Sequence, residues 1–183
     1  MPVSAPPIVT RARAVALDVL RDDALLLEHA TRTAAQAAAL VRMAPRSQAL
    51  DVIAAAWLHD IGYVPTLRRT GFHPLDGALF LIGQDWPERV VRLVAHHSLA
   101  AMEAPFYGVG HHLGVIEAVS GIDADILISA DLRAGTGNPA PTMDMRLEEM
   151  SRLDEELGLV PPDVRQARYA GLRSAHERIL GLT

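Results

Sequence analysis

The chain contains neither cysteine nor lysine, and all seventeen basic residues among its 183 are arginine. Without cysteine there is no disulfide framework, no cysteine zinc site and no thiol nucleophile. Without lysine, Schiff-base catalysis and P-loop phosphate binding are excluded, since both need that side chain. Contacts to an anion therefore have to come from arginine, backbone N–H groups or a metal ion.

Excess positive charge and long apolar runs are also absent. The formal net charge of −5 gives no basic footprint for nucleic acid. No apolar run is long enough to span a bilayer. Residues 1–7 lack the charged start and apolar stretch of a secretory signal. We expect a cytoplasmic protein with no nucleic-acid or membrane partner, and the oligomeric state stays open.

The composition favours helices over strands. Hydrophobic residues make up 50% of the chain, but aromatic residues only 4%, and alanine is abundant. The spacing of apolar positions predicts an all-α bundle of roughly seven to nine helices in a single domain, residues 1–183. The predicted helices cover residues 8–21, 24–43, 48–60, 75–82, 87–98, 113–120, 123–133, 143–157 and 162–180. Their predicted N-caps include Thr10 or a neighbour, Asp22 or Asp23, and Ser47.

The pair His59-Asp60 ends an apolar helical run that begins at Leu50, and Gly62 follows it almost at once. An imidazole and a carboxylate that point into a helical core need a partner, because burying a polar group alone costs several kcal/mol. The usual partner of such a mixed nitrogen and oxygen pair is a metal ion.

Further polar residues lie where helices should face the core. A lone histidine in a helix is more often a hydrogen-bonded core or surface residue than a ligand. Here, however, candidates occur on at least five segments, which is how a bundle builds a metal site in its core. They are His29, His59-Asp60, His73, His96-His97 and Asp131, with Asp123 and Asp125 competing for the role of Asp131.

This order of residues resembles the HD-domain superfamily of metal-dependent phosphohydrolases. The resemblance implies that His29, His59, Asp60 and Asp131 hold one divalent ion. The segments 71–78 and 91–98 resemble those that supply further histidines in branches with two or three ions, which adds His73, His96 and His97. The resemblance covers about residues 24–135, and the C-terminal helices within 143–181 lie outside it.

Some branches of that superfamily are not matched. The cyclic-di-nucleotide phosphodiesterases carry a lysine shortly after the His-Asp pair, where this chain has Ile61 to Pro65, and no Gly-Tyr-Pro motif follows His97. Branches with a glutamate near the pair are not matched either, because Tyr63 and Val64 stand there. These departures argue against those substrates and leave the metal site itself unaffected.

The resemblance implies hydrolysis of a small phosphate ester or nucleotide by metal-activated water. A divalent ion lowers the pKa of bound water from about 15.7 toward 7. Asp60 is the expected bridging carboxylate and catalytic residue. Imidazoles and carboxylates suit Mn, Fe, Co, Ni or Zn, and the additional histidines favour two ions over one.

Candidate substrate contacts come from arginine, which binds phosphate through paired hydrogen bonds. Arg68 and Arg69 lie on the loop between the His-Asp pair and His73, and Arg133 lies two residues after Asp131. Solvated surface charge is the alternative for the loop pair. Four other side chains have an open or surface role: Tyr63 either donates to a phosphate or packs, the pair His111-His112 forms a lid or is exposed, and His176 lies on the surface.

Two other functions stay open at this point. A di-iron oxygenase of the same superfamily needs the additional histidines, which this chain has. A non-enzymatic sensor or binding module that retains the fold would be expected to lose ligands, whereas here the set is complete.

Overall fold

The computed structural model describes residues 7–44, 47–135 and 142–182. These ranges contain nine α-helices and no strand, which confirms the predicted all-α fold. No helix in them is long and apolar enough to cross a membrane. The helices are α1 Pro7–Val19, α2 Ala24–Leu40, α3 Ala49–Leu58, α4 His73–Ile82, α5 Glu88–His96, α6 Gly110–Gly114, α7 Ile122–Arg133, α8 Met143–Leu157 and α9 Pro162–Leu180.

Helix α3 is the centre of the bundle and packs against α1, α2, α5 and α7. Its residues from Ala54 to Leu58 are all buried. A helix that is apolar on every side is stable only when other helices surround it. The polar pair that follows α3 is consequently delivered into the middle of the bundle.

Several predicted helix ends are confirmed and others are wrong. Asp23 caps α2 by accepting a hydrogen bond from the Leu26 N–H at 3.0 Å. Thr10 does not cap α1, because α1 already includes Pro7. Ser47 does not cap α3 either: Gln48 takes that position, and its N–H donates to the Asp123 carboxylate at 3.0 Å. Helix α1 ends at Val19, two residues before the predicted end.

The predicted helix over residues 113–120 is wrong, since α6 comprises Gly110–Gly114 only. Residues 117–120 are not helical, and the carbonyl of Ile116 accepts a hydrogen bond from the His96 ring at 2.6 Å. Between α5 and α6 the chain forms short 3₁₀ turns within His97–Met102, and a kink with non-helical backbone at Ser98 and Leu99 interrupts them.

Helices α8 and α9 pack beside α7 through a small apolar cluster of their own. Its buried members are Ile128, Leu132, Leu147, Leu172 and Ala175. The predicted helices leave residues 134–142 as a connection, of which residues 136–141 lie outside the described residues. A single domain over the whole chain stays a prediction.

The turn after α5 has a strained backbone. Ser98 and Leu99 adopt positive φ angles of 51° and 59°, a conformation that residues other than glycine rarely take. Each such residue costs roughly 1–2 kcal/mol, so contacts elsewhere must hold the turn. Those contacts come from Asp131 of α7 and from Arg168 and Gly171 of α9.

Candidate metal centre

A first group of ligand atoms lies where α2, α3 and α7 meet. His29 Nε2 is 3.2 Å from His59 Nε2 and 3.0 Å from Asp131 Oδ1. Asp60 Oδ2 is 3.3 Å from His59 Nε2 and 3.5 Å from His29 Nε2. Ligands that share one ion at bond lengths of about 2.1 Å stand roughly 3.0–3.4 Å apart. Apart from the 3.8 Å between His59 Nε2 and Asp131 Oδ1, these separations are at or close to those expected around a single ion.

A second group lies on the other side of Asp60. Asp60 Oδ1 is 3.6 Å from His73 Nε2 and 3.5 Å from His97 Nε2, and the two imidazole nitrogens are 3.1 Å apart. Asp60 thus presents one carboxylate oxygen to each group. This arrangement can hold two metal ions bridged by one carboxylate.

Backbone carbonyls orient three of the imidazoles. His59 Nδ1 lies 3.0 Å from the Ala56 carbonyl, His97 Nδ1 lies 2.7 Å from the Val94 carbonyl, and His29 Nδ1 lies 3.3 Å from the Ala134 carbonyl. A carbonyl only accepts, so each Nδ1 carries the proton. In the neutral ring, Nε2 then has a free lone pair directed at the site.

This proton placement fits a metal ion. With both Nδ1 atoms protonated, His29 and His59 bring two lone pairs to within 3.2 Å of each other. Such a pair cannot form a hydrogen bond and requires a cation, either a proton or a metal ion. Carbonyl bonds at the distal nitrogen are also the usual support of metal-ligating histidines.

Burial and the charges of neighbouring side chains shift the pKa values of the histidines and aspartates in the site. Burial alone lowers the pKa of His59, but Asp60 and Asp131 outweigh it and raise the pKa to about 9. Burial raises the pKa of Asp60, yet His59 brings it well below its usual range, and the pKa of Asp131 is lowered mainly by His29 in the same way. Burial and neighbouring His97 lower the pKa of His73 to about 3. Without metal, the first group therefore retains a proton and the imidazole of His73 stays neutral.

Gly62 allows α4 to approach the His-Asp pair. A Cβ atom at this position would lie 2.0 Å from the His73 carbonyl oxygen and 2.7 Å from the Gly77 nitrogen. Only glycine leaves room for this contact. The contact places His73, at the start of α4, beside Asp60.

The structure brings together six of the seven predicted metal ligands, and His96 is the exception. Helix α5 ends at His96, and His97 follows with an extended backbone, ψ 156°. The two rings point differently as a result: His97 Nε2 faces Asp60, whereas His96 Nε2 donates to the Ile116 carbonyl. His96 consequently belongs to neither ligand group.

Of the three aspartates of α7 considered as metal ligands, Asp131 is the one that lies beside His29 and His59. Asp123 pairs with Arg89, and Asp125 pairs with Arg178 through two hydrogen bonds of 2.6 and 2.7 Å. Both of these carboxylates are occupied in holding helices together. Only Asp131 of the three lies within a ligand group.

The predicted arginine contacts lie outside the ligand groups. Arg68 and Arg69 are exposed and have no ion-pair partner among the described residues. Arg133 is exposed too. Two residues along a helix point to nearly opposite sides, so Arg133 faces away from Asp131. Its charge instead contributes, after burial, to the lowered pKa of His176.

Tyr63 forms one wall of the site. Its ring stacks on the His73 ring with centroids 3.8 Å apart and planes 15° apart, and 44% of the residue is exposed. A surface cleft of about 570 Å³ begins at Tyr63 and is lined further by residues 64–67 and the turn between α1 and α2. Tyr63 lines this cleft and stacks on His73, whereas the ligand residues themselves are not part of the cleft lining.

Two other histidine predictions have different outcomes. His111 and His112 are exposed on α6, as one of the two alternatives predicted. The prediction of a surface position for His176 is wrong, because the residue is buried and its Nδ1 lies 2.8 Å from the Ser129 hydroxyl. Packing of α9 on α7 buries it.

Ser98 and Arg168 contact the site or its supporting turn, and the sequence analysis did not identify either. The Ser98 hydroxyl donates to Asp131 Oδ2 at 2.7 Å, and Arg168 Nε donates to the Ser98 carbonyl at 2.9 Å. Arg168 is 70 residues away in the chain, so no local pattern indicates the contact. Only the position of Ser98, directly after the two histidines, is a signal visible in the sequence.

Comparison with known proteins gives one match. The family model described as HD domain matches residues 26–155, well over half of the chain. The matched segment includes all six residues of the two ligand groups and ends before α9. No curated protein and no solved structure matches.

Proposed function

Because the chain belongs to the HD domain family, we propose that it is a metal-dependent phosphohydrolase that cleaves a small phosphate ester or nucleotide. The observation that carries this proposal is the carboxylate of Asp60, which presents Oδ2 to His29 and His59 and Oδ1 to His73 and His97. A bridged pair of cation sites is the arrangement that phosphate-ester hydrolysis uses.

The proposed cofactor is a pair of divalent transition ions, from Mn, Fe, Co, Ni or Zn. His29, His59 and Asp131 with Asp60 Oδ2 would hold the first ion. His73 and His97 with Asp60 Oδ1 would hold the second. Neutral imidazoles and carboxylates are ligands that all five metals accept, so the residues alone do not select one.

When bound, such ions supply activation of water and neutralisation of phosphate charge. The residues of the chain supply position. Asp60 is buried and 9% exposed, so its carboxylate is fixed between the two groups rather than free to rotate in solvent. We assign it the role of orienting the attacking water. Tyr63 covers the His73 ring and leaves the adjoining cleft as the route for substrate.

Arg68 and Arg69 remain proposed contacts for a substrate phosphate. They are exposed on the loop that joins Asp60 to His73, and no carboxylate among the described residues neutralises them. A guanidinium in this state is free to bind a phosphate bidentately. Arg133 is not part of the proposal, because it lies on the opposite side of α7 from Asp131.

The proposal is tested by metal content and turnover of the whole chain. We expect about two equivalents of a transition metal and hydrolysis of at least one compound in a phosphate-ester panel. Asp60→Asn, which keeps the side-chain shape, should lose both, whereas Asp163→Asn, at an exposed position in the first turn of α9, should lose neither. A wild-type protein that binds no metal after incubation with all five ions would contradict the proposal.

A second candidate is a di-iron oxygenase. It is favoured by the same His73 and His97 group, which an enzyme with a single metal would not need. Iron in the purified protein, together with substrate-dependent consumption of dioxygen and no phosphate release, would replace the first proposal with this one.

A further inference from the structure

The carboxylate of Asp131 has two different partners. Its Oδ1 atom faces His29 Nε2 at 3.0 Å, whereas its Oδ2 atom accepts the Ser98 hydroxyl at 2.7 Å. The hydroxyl therefore occupies the oxygen that does not face the site. As a result, Asp131 is directed to offer a single oxygen to the first ligand group.

The turn that presents Ser98 is held by a buried arginine of α9. Arg168 Nε donates to the Ser98 carbonyl at 2.9 Å, and its Nη1 donates to Glu103 at 2.9 Å and to Asp154 at 3.3 Å. Arg168 is only 6% exposed. Its guanidinium thus joins the turn after α5, the segment that follows it, and α8.

A second contact from α9 supports the same turn independently. The side chain of Leu99, which has a positive φ angle like Ser98, packs on Gly171. A Cβ atom at Gly171 would lie 2.7 Å from Leu99 Cδ1. Glycine inside a helix is unfavourable by propensity, and at this position a Cβ would require the end of the Leu99 side chain to move. Helix α9 therefore contacts both residues of the strained turn.

We propose that Arg168 is a positioning residue of the metal centre, which acts through Ser98 to fix the orientation of Asp131. The inference rests on the proposed metal site. It assigns to the C-terminal helix, which lies beyond the segment matched by the family model, a role in metal affinity rather than in core packing alone. Because His97 immediately precedes Ser98, the same turn also joins the two ligand groups.

The test is Co²⁺ binding by the whole chain, measured by competition with a chromogenic chelator. Ser98→Ala and Arg168→Lys should each weaken Co²⁺ binding about 10–100-fold, the usual effect of losing a residue that supports a ligand. The lysine keeps the positive charge beside Glu103 but removes the Nε donor. The double variant should bind no more weakly than the single variants, because both changes remove the same connection.

A purely structural role of Arg168 would lower the melting temperature of the metal-free protein and leave Co²⁺ affinity unchanged. If Arg168→Lys fails to fold, Gly171→Ala decides the question, with Gly181→Ala at the end of the same helix as its control. A Cβ at Gly181 would meet only backbone oxygens at 3.6 Å. Weakening by Gly171→Ala and not by the control supports the inference.

Two results would overturn it. If Ser98→Ala or Arg168→Lys binds Co²⁺ within twofold of the wild type, or if their effects add in the double variant, Arg168 does not act through Ser98. If the wild type itself binds no Co²⁺ or any other divalent transition ion, the proposed function fails as well. The two failures are therefore distinguishable.

Discussion

The proton held by His59 makes the stability of the metal-free protein depend on pH. Burial disfavours the charged ring, but Asp60 and Asp131 outweigh it, and the pKa rises from 6.5 to about 9 on folding. A pKa that is raised on folding contributes stability that is complete below the unfolded value and is lost as pH rises through the folded value. The metal-free protein should therefore become less stable between about pH 6.5 and pH 9.

The size of the loss follows from the two pKa values. Each pKa unit is worth about 1.36 kcal/mol, so the rise from 6.5 to about 9 corresponds to about 3 kcal/mol in full. Between pH 7.5 and pH 9.5, about 2 kcal/mol of this is lost. Asp60 and Asp131 do not add to this change, because their lowered pKa values keep both carboxylates ionised throughout the range.

The assay is urea unfolding of chelator-treated protein at pH 7.5 and pH 9.5. Wild type should lose about 2 kcal/mol more than His59→Gln over this range, whereas His111→Gln, at an exposed histidine, should behave as wild type. Equal losses in wild type and His59→Gln would refute the reasoning. A saturating divalent ion should reverse the trend, because it displaces the proton and binds more tightly as pH rises.

Three further results are expected. Elemental analysis should show that His97→Ala reduces the metal content from two ions to one, while His96→Gln retains both; equal losses would contradict the assignment of the rings. Gly62→Ala should lower the melting temperature and release the second ion, since its Cβ would lie 2.0 Å from the His73 carbonyl; an unchanged melting temperature would contradict this. Leu172→Ala, at a fully buried position of α9, should cost about 2–5 kcal/mol in urea unfolding, and a loss below 1 kcal/mol would show that the cluster beside α7 is loosely packed.

One physical rule made some of the predicted ligand positions accessible from the sequence, and the family resemblance supplied the full set. Polar side chains at the buried ends of apolar helices need a partner, which identified His59 and Asp60 after α3 and His73 at the start of α4. The rule concerns single elements and needs no knowledge of how they pack. It therefore worked where the helix boundaries were clear.

The choice between neighbouring residues was not accessible in the same way. His96 and His97 are adjacent, and the point at which α5 ends decides which ring turns toward Asp60. Helix ends are uncertain by one or two residues from sequence. Asp123 and Asp131 likewise lie on one helix, and only contacts with other helices separate their roles: Asp123 pairs with Arg89, whereas Asp131 faces His29.

Contacts over long chain separations were not predictable. His176 was predicted at the surface because it lies near the C-terminus, but α7 covers it. Arg168 carried no signal for the same reason, since its partner Ser98 lies on the turn after α5. In both cases the missing information was how α9 packs, which no periodicity specifies.

The carbonyls that hold the histidine rings have an electrostatic consequence. Ala56 and Val94 lie in the last turns of α3 and α5, and Ala134 follows the last residue of α7, so three helix C-termini converge on the centre. Each such end carries about half a negative charge, in addition to the carboxylates of Asp60 and Asp131. An empty centre would repel a phosphate. Under the proposed function, the cations would therefore have to enter first, because only they would create the positive potential that attracts the anion.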